Sequence, residues 1–309
     1  MHFLYLRMRY LPALLILLMA SSAFKQVYIP KFDLQGHRGC RGIKPENTIP
    51  AFITALDSGV TTLEMDLAVT ADQQLVVSHE PWMSAAISTD PSGNGILAKE
   101  ETKYNIYKMT YAEVSQWDVG SKGNERFPEQ EKMKVSKPLL KDVVLAVEKH
   151  IKDFTNYEVD YNIEIKSMPA WDDKFHPKVP VFSDRVYTLL NQYIPMDRVV
   201  IQSFDFRVLK YWHEKYPDVR LAALVENKKS MDENLAALGF KPSVYSPEYK
   251  GVTREMVRHA HELKMRIIPW TVNDTTDMRA MKSMGTDGLI TDYPNRARKL
   301  KLALNAAKK

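Results

Sequence analysis

The run Gly36-His37-Arg38-Gly39-Cys40-Arg41-Gly42-Ile43-Lys44-Pro45-Glu46-Asn47-Thr48 packs a histidine, two arginines, three glycines and a carboxylate into thirteen consecutive positions. No core-building segment needs that composition. Glycine permits positive φ or close approach to a ligand, histidine moves protons near neutral pH, and an arginine fork is shaped for phosphate. Ahead of it, Phe32-Asp33-Leu34-Gln35 reads as a short strand. Behind it, Asn47 or Thr48 can cap a helix through Ile49-Pro50-Ala51-Phe52-Ile53-Thr54-Ala55-Leu56, with Pro50 tolerated in the first turn. Strand, glycine-rich turn and helix in succession are where α/β folds bind ligands.

Outward from this unit, apolar runs of about five residues alternate with helix-length segments, which argues for a mostly parallel sheet. The expected strands are Asp33 to His37, Thr62 to Val69, Leu75 to His79, Val159 to Lys166, Val199 to Phe204, Leu221 to Val225, Ser243 to Ser246, Arg266 to Val272 and Gly288 to Thr291. Repeated α/β units suggest a (β/α)8 barrel, with a doubly wound open sheet as the alternative. Thr70-Ala71-Asp72-Gln73-Gln74 is too short for a parallel crossover, so the second and third strands should form an antiparallel hairpin. A turn near Asp72 sets His79 opposite Met65, beside Glu64 and Asp66.

Glu64 and Asp66 are two apart on a strand, so both carboxylates share one face while Leu63, Met65 and Leu67 share the other. The same alternation in Val159-Asp160-Tyr161-Asn162-Ile163-Glu164-Ile165-Lys166 gathers Asp160, Asn162, Glu164 and Lys166 on one face. A polar interior face costs free energy unless it is satisfied. Glu64, Asp66 and Glu164 can together hold one divalent cation, and oxygen donors favour Ca²⁺ or Mg²⁺ over zinc. Lys166 can balance a phosphate.

At the N-terminus, Arg7 and Arg9 precede an apolar run from Leu11 to Ala20 and the small residues Ser21-Ser22-Ala23. The run is near half of the roughly 20 residues a membrane-spanning helix requires. Residues 1–23 therefore read as a cleaved signal peptide, leaving 24–309 as one barrel that is periplasmic or secreted and has no stable membrane anchor. The composition is 45% hydrophobic and 26% charged, with a formal net charge of +5 that falls by two when Arg7 and Arg9 leave. Lys and Arg do not cluster along one face, which argues against a nucleic-acid partner. Cys40, the one cysteine, excludes an intramolecular disulfide and reads as a small residue filling a turn.

Taken in order, His37-Arg38-Gly39, Pro45-Glu46-Asn47-Thr48, Glu64-Met65-Asp66, Leu75-Val76-Val77-Ser78-His79 and Asn162-Ile163-Glu164-Ile165-Lys166 resemble the glycerophosphodiester phosphodiesterase family. The resemblance continues through Pro138-Leu139-Leu140-Lys141-Asp142-Val143, Gln202-Ser203-Phe204, Trp270-Thr271-Val272-Asn273 and Gly285-Thr286-Asp287-Gly288-Leu289-Ile290-Thr291-Asp292-Tyr293-Pro294. It implies a TIM-type barrel, a divalent metal on Glu64, Asp66 and Glu164, and a catalytic pair formed by His37 and His79. It also implies hydrolysis of glycerophosphodiesters to glycerol 3-phosphate and an alcohol. In the mechanism suggested by the resemblance, the glycerol hydroxyl next to the phosphate attacks phosphorus and water opens the resulting cyclic phosphate. The two histidines exchange acid and base roles between the steps.

Phosphodiester cleavage needs charge neutralisation on the non-bridging oxygens, an activated nucleophile and a protonated leaving group. Arg38 and Lys166 supply phosphate contacts. Gln202, Phe204 and Trp270, at expected strand ends, shape the glycerol or alcohol pocket. Two positions depart from the family pattern: Glu80 stands where aspartate usually follows the histidine, and Cys40-Arg41 follows the His-Arg-Gly unit. A long segment, about 81–136, leaves the barrel after the third strand and is expected to cap the site, with a short helix from Tyr111 to Trp117. His259 and His261 sit two apart on an expected helix and cannot share a metal, and His150, His176 and His213 have no ligand set nearby. Two other functions compete: a phosphodiesterase acting on lysophospholipids or other phosphodiesters, and a non-catalytic phosphate-binding module.

Overall fold

The computed structural model describes residues 29–155, 157–302 and 307–308. The expected signal peptide, residues 1–23, lies outside the described residues.

Eight parallel strands form the barrel. They are β1 (Asp33–Gly36), β2 (Thr62–Val69), β4 (Asp160–Ile165), β5 (Val199–Ser203), β6 (Arg220–Val225), β7 (Val244–Pro247), β8 (Arg266–Ile267) and β9 (Gly288–Thr291). β3 (Leu75–Val77) pairs antiparallel with β2, Leu67 facing Val77 and Val69 facing Leu75. This is the hairpin expected from the short connection. β9 pairs in parallel with β1. Hydrogen bonds from Asp287 N to the Ile267 carbonyl and from Ile290 N to the Pro269 carbonyl, each 2.9 Å, close the ring between β8 and β9. β8 is shorter than the expected Arg266 to Val272, because Pro269 has no N–H to donate and regular pairing stops.

Helices fill the outside between successive strands: α1 (Ile49–Asp57), α2 (Leu140–Phe154), α3 (Val179–Tyr193), α4 (Phe206–Lys215), α5 (Met231–Leu238), α6 (Arg254–Glu262), α7 (Thr275–Met284) and α8 (Pro294–Lys299). Thr48, not Asn47, caps α1 by accepting from Ala51 N, and Pro50 lies in the first turn, where its missing N–H leaves no bond unmade. The outward residues of the strands, such as Leu63, Met65, Tyr161, Ile163 and Ile201, pack with Phe52, Val144, Phe182 and Trp212 of the helices in the main core.

The barrel interior is divided. Val200, Ala222, Val244 and Ile290 on β5, β6, β7 and β9, with Ile268 just past the end of β8, form an apolar wall. Across from it, β1, β2 and β4 turn in Asp33, Gln35, Glu64, Asp66, Asn162 and Glu164, all on strands that are almost wholly buried. Buried polar groups persist only when hydrogen-bonded or charge-paired, so this half of the interior is where function is to be sought.

The segment 81–136 leaves the barrel after β3, as expected. It folds as short 3₁₀ turns and one helical turn, Tyr111–Val114, which stops short of the expected Trp117. Met83, Ile106, Val114 and Trp117 pack on Ala68 and Val76 of the hairpin, giving the insertion a small core of its own. It is tied to the 37–48 turn by Gln130 Nε2, which donates to the Arg41 carbonyl at 2.7 Å, and by Glu131 N, which donates to the Ile43 carbonyl at 2.8 Å.

Candidate active site

A cavity of about 500 Å³ opens at the carboxyl ends of the strands. Its lining includes His37, Arg38, Glu64, His79, Glu164, Lys166, Gln202, Phe204 and Trp270, so residues from well-separated stretches of sequence meet there. The insertion adds Arg126 and Phe127 to the wall.

The carboxylates come together through strand register. Asp66 on β2 lies opposite Glu164 on β4, and Glu64 opposite Asn162. Glu64, Asp66 and Glu164 each offer one oxygen, all within 4.8 Å of one another. Burial, followed by the neighbouring Asp66 and Glu164, pushes Glu64 well above the usual carboxylate range. Burial also raises Glu164, against the pull of Lys166. Asp66 moves the other way: burial opposes its ionisation, but His79, Arg38 and Lys166 hold it below its ordinary value. Three buried carboxylates repelling one another, with oxygen donors only, fit a hard divalent cation.

Arg38 and Lys166 flank the cluster. Arg38 adopts positive φ, its backbone N–H donates to Glu64 Oε2 at 2.8 Å, and Nη1 donates to Glu46 Oε1 at 2.6 Å. Its Nε stands 3.4 Å from Asp66 Oδ2. Asn47 Nδ2 donates to the same oxygen at 2.9 Å, so the Glu46-Asn47 pair secures the turn and steadies a triad carboxylate. Lys166 Nζ reaches Glu164 Oε1 at 3.0 Å and His79 Nε2 at 3.1 Å.

Each histidine is pinned through Nδ1 by a carboxylate. His37 Nδ1 meets Asp292 Oδ1 at 2.7 Å, and His79 Nδ1 meets Glu80 Oε1 at 2.7 Å. Glu80 thus reaches the imidazole despite its extra methylene. Its carboxyl is held down to about 2: burial opposes ionisation, but the hydrogen bond to and charge of His79 prevail, with help from Arg38 and Lys137. His37 is lowered to about 4 by burial and then by the positive charge of Arg41, which together outweigh Asp292.

Sequence reasoning assigned no role to Asp292, Arg41, Asn273 or Lys137. Asp292 follows β9 directly and is 1% exposed. Arg41 Nε donates to Asp292 Oδ1 at 2.9 Å, and Asn273 Nδ2 to Oδ2 at 2.7 Å. A carboxylate at the carboxyl end of a barrel strand was the available signal. Lys137 Nζ donates to Ser78 Oγ at 2.8 Å, and Ser78 Oγ donates to the Glu80 carbonyl at 2.6 Å, fixing the turn that carries His79.

Gln202 is among the cavity's lining residues, and its Nε2 donates to Glu64 Oε1 at 2.7 Å. Phe204 and Trp270 meet edge to face at 5.4 Å and form an aromatic wall, with Phe204 42% exposed. The loop glycines are occupied by protein. A Cβ on Gly39 would stand 2.7 Å from the Ala51 backbone, and one on Gly42 would stand 2.3 Å from the Tyr293 ring. The turn therefore presents His37 and Arg38 rather than wrapping a phosphate in backbone. Cys40 is fully buried, its Sγ donates to the Ala51 carbonyl at 3.2 Å, and burial pushes its thiol to about 12. It is a filler, not a nucleophile.

The family model for glycerophosphoryl diester phosphodiesterases matches residues 37–296. A glycerophosphodiester phosphodiesterase of Bacillus subtilis strain 168 is 30% identical over 276 residues, covering 86% of this chain and 85% of that one. A solved Silicibacter pomeroyi structure, a candidate glycerophosphoryl diester phosphodiesterase, superposes with a TM-score of 0.78 at 29% identity, covering 90% of this chain and 96% of that one. An Oleispira antarctica phosphodiesterase, solved in complex with its product sn-glycerol-3-phosphate, shares the fold at a TM-score of 0.68 and 20% identity, covering 88% and 96%.

Proposed function

The chain belongs to the glycerophosphoryl diester phosphodiesterase family, and from that premise we propose a two-histidine hydrolysis of glycerophosphodiesters such as glycerophosphocholine and glycerophosphoethanolamine. The products are glycerol 3-phosphate and an alcohol. The observation that carries the reading is the pair of imidazoles, each anchored through Nδ1 by a carboxylate, beside one buried acidic triad.

Glu64, Asp66 and Glu164 would hold the divalent cation, Ca²⁺ or Mg²⁺, which when bound neutralises charge on the phosphate. Arg38 and Lys166 add positive charge at the non-bridging oxygens. His37, kept neutral by burial and Arg41 and with Nδ1 turned to Asp292, offers the Nε2 lone pair to the glycerol hydroxyl next to the phosphate. That oxygen forms its bond to phosphorus as the bond to the leaving alcohol breaks, and His79 Nε2 delivers a proton to the departing alkoxide. Before this can happen, Lys166 must leave His79 Nε2 for the incoming phosphate, and Nε2 must take up a proton from water. In the second step the roles reverse and water opens the cyclic phosphate. Phe204, Trp270 and the insertion's Phe127 line the space for the alcohol, and Gln202 steadies Glu64 from beneath.

His37→Ala and His79→Ala are each expected to lower turnover by about 10²-fold or more. Phosphorus NMR of a reaction started with the His37→Ala enzyme and with the unaltered one tests the intermediate. Hydrolysis of a supplied glycerol cyclic phosphate only by the enzyme with both histidines supports it, and failure of the unaltered enzyme to open that compound removes the cyclic step. Comparing glycerophosphocholine with a lysophospholipid and bis-p-nitrophenyl phosphate separates this reading from a lipid-directed or broader phosphodiesterase. Binding without turnover would indicate a phosphate-binding module. We also propose that residues 1–23 direct export and are removed, leaving one barrel in the periplasm or outside the cell. Arg7 and Arg9, the apolar run and Ser21-Ser22-Ala23 support this, and N-terminal sequencing of the exported protein tests it.

A further inference from the structure

The polar wall of the barrel holds a continuous chain of side-chain hydrogen bonds from its floor to the acidic triad. Asp33, at the amino end of β1, accepts from the hydroxyls of Thr61 and Thr62 at 2.7 Å each and from Gln35 Nε2 at 2.9 Å. Asn162 Nδ2 donates to Gln35 Oε1 at 2.7 Å and to Gln202 Oε1 at 2.9 Å. Gln202 Nε2 donates to Glu64 Oε1 at 2.7 Å, while Glu64 Oε2 accepts the backbone N–H of Arg38 at 2.8 Å.

The chain has a direction. A carboxylate accepts and does not donate, so Gln35 must turn its NH₂ to Asp33, and Gln202 must turn its NH₂ to Glu64 whenever Glu64 is ionised to hold a cation. Both glutamines then present carbonyl oxygens to position 162, where two donors are required. Only an amide NH₂ supplies both from a side chain of this size. Asn162 is 2% exposed, both its hydrogens are spent in this way, and its Oδ1 is buried with no hydrogen-bond partner. A stranded buried acceptor costs free energy, so the amide is held by the demand for its donors.

We propose that Asn162 is a positioning residue for the cation site, setting Gln202 as a donor and thereby presenting Glu64 with one lone pair engaged on each oxygen and the other free for the ion. This rests on the assignment of Glu64 to the cation under the proposed function. Reversing the polarity at 162 passes the error along the chain. With Asn162→Asp, Gln202 is drawn to turn its NH₂ toward the new carboxylate, its carbonyl oxygen faces Glu64, and two acceptors oppose each other beside the ion. Asn162→Ser is smaller but keeps a donor that can reach one amide oxygen.

The test is isothermal titration of the chelator-stripped full-length protein with calcium chloride and, separately, magnesium chloride, with circular dichroism confirming the fold of each variant. Asn162→Asp is expected to bind the ion at least about fivefold more weakly than Asn162→Ser, the factor expected for loss of one buried hydrogen bond. A smaller separation overturns the proposal, because a merely structural role would not distinguish variants by donor polarity. Should Asn162→Asp fail to fold, Asn162→Ala, which has no donor, must bind at least about threefold more weakly than Asn162→Ser, and equality overturns the proposal. If the unaltered protein binds neither ion, the cation reading itself fails; if it binds and the variants do not separate, only the positioning role does.

Discussion

The imidazole of His37 and the carboxylate of Asp292 meet at 2.7 Å across 255 residues of sequence. They do so because β9 pairs with β1 to close the barrel, with Gly36 beside Thr291. The first and last strands thus complete one side of the site, and the β2–β3 hairpin brings His79 and Glu80 to the other.

Asp292→Asn tests this closure. The amide keeps the size of the side chain but lets the His37 ring adopt the other tautomer or turn. Turnover should fall by about 10²-fold, since a mis-set general base loses most of its contribution. Calorimetric affinity for Ca²⁺ or Mg²⁺ should be unchanged, because Asp292 is not among the triad oxygens. A weaker ion affinity would show that the change has spread beyond His37.

Glu80 should be specific in both length and charge. Glu80→Gln removes the carboxylate that faces His79 Nδ1, and Glu80→Asp withdraws it by one methylene. Each should lower turnover by about tenfold or more. Full activity of the Glu80→Asp enzyme in a steady-state assay would show that the turn adjusts freely and that reach is not what Glu80 provides.

His37 carries a pH signature. Its folded pKa of about 4 lies below the ordinary histidine value, so the folded state favours the neutral ring. The associated stability is fully present above about pH 6.5 and is lost as pH falls through about 4. An imidazole nitrogen NMR titration should place its midpoint near 4. Arg41→Gln, by removing a neighbouring positive charge, should raise that midpoint; a midpoint that stays put or falls would assign the depression to burial alone.

Gly39→Ala tests what the turn glycines do. Gly39 has φ of +82°, and a Cβ there would press on the Ala51 backbone of α1. Thermal or urea unfolding should show a loss of about 2 kcal/mol or more, combining left-handed strain with overpacking. An unaltered midpoint would mean that the turn and α1 can separate at little cost.

Much of this architecture is legible in the sequence, for physical reasons. The short link between Val69 and Leu75 forces a hairpin, and alternation along β2 and β4 puts Glu64, Asp66 and Glu164 on one face. What lies hidden depends on packing between distant segments. The glycines of 36–48 look like a phosphate cradle until Ala51 and Tyr293 are seen to occupy the space beside Gly39 and Gly42. Asp292 looks like any strand-end carboxylate until Arg41, Asn273 and His37 converge on it. Gln202 is readable as an inward residue, but not as a support under Glu64, because that requires the register of β2, β4 and β5 together.

The central proposal is that the buried triad and the two carboxylate-anchored histidines act as one phosphodiesterase site. The most direct test is glycerol 3-phosphate release from glycerophosphocholine and glycerophosphoethanolamine by the purified protein, with and without chelator. Release that ceases in chelator and returns with added Ca²⁺ or Mg²⁺ is the predicted result. Undiminished release in chelator, or none from either substrate in the presence of both ions, would contradict it.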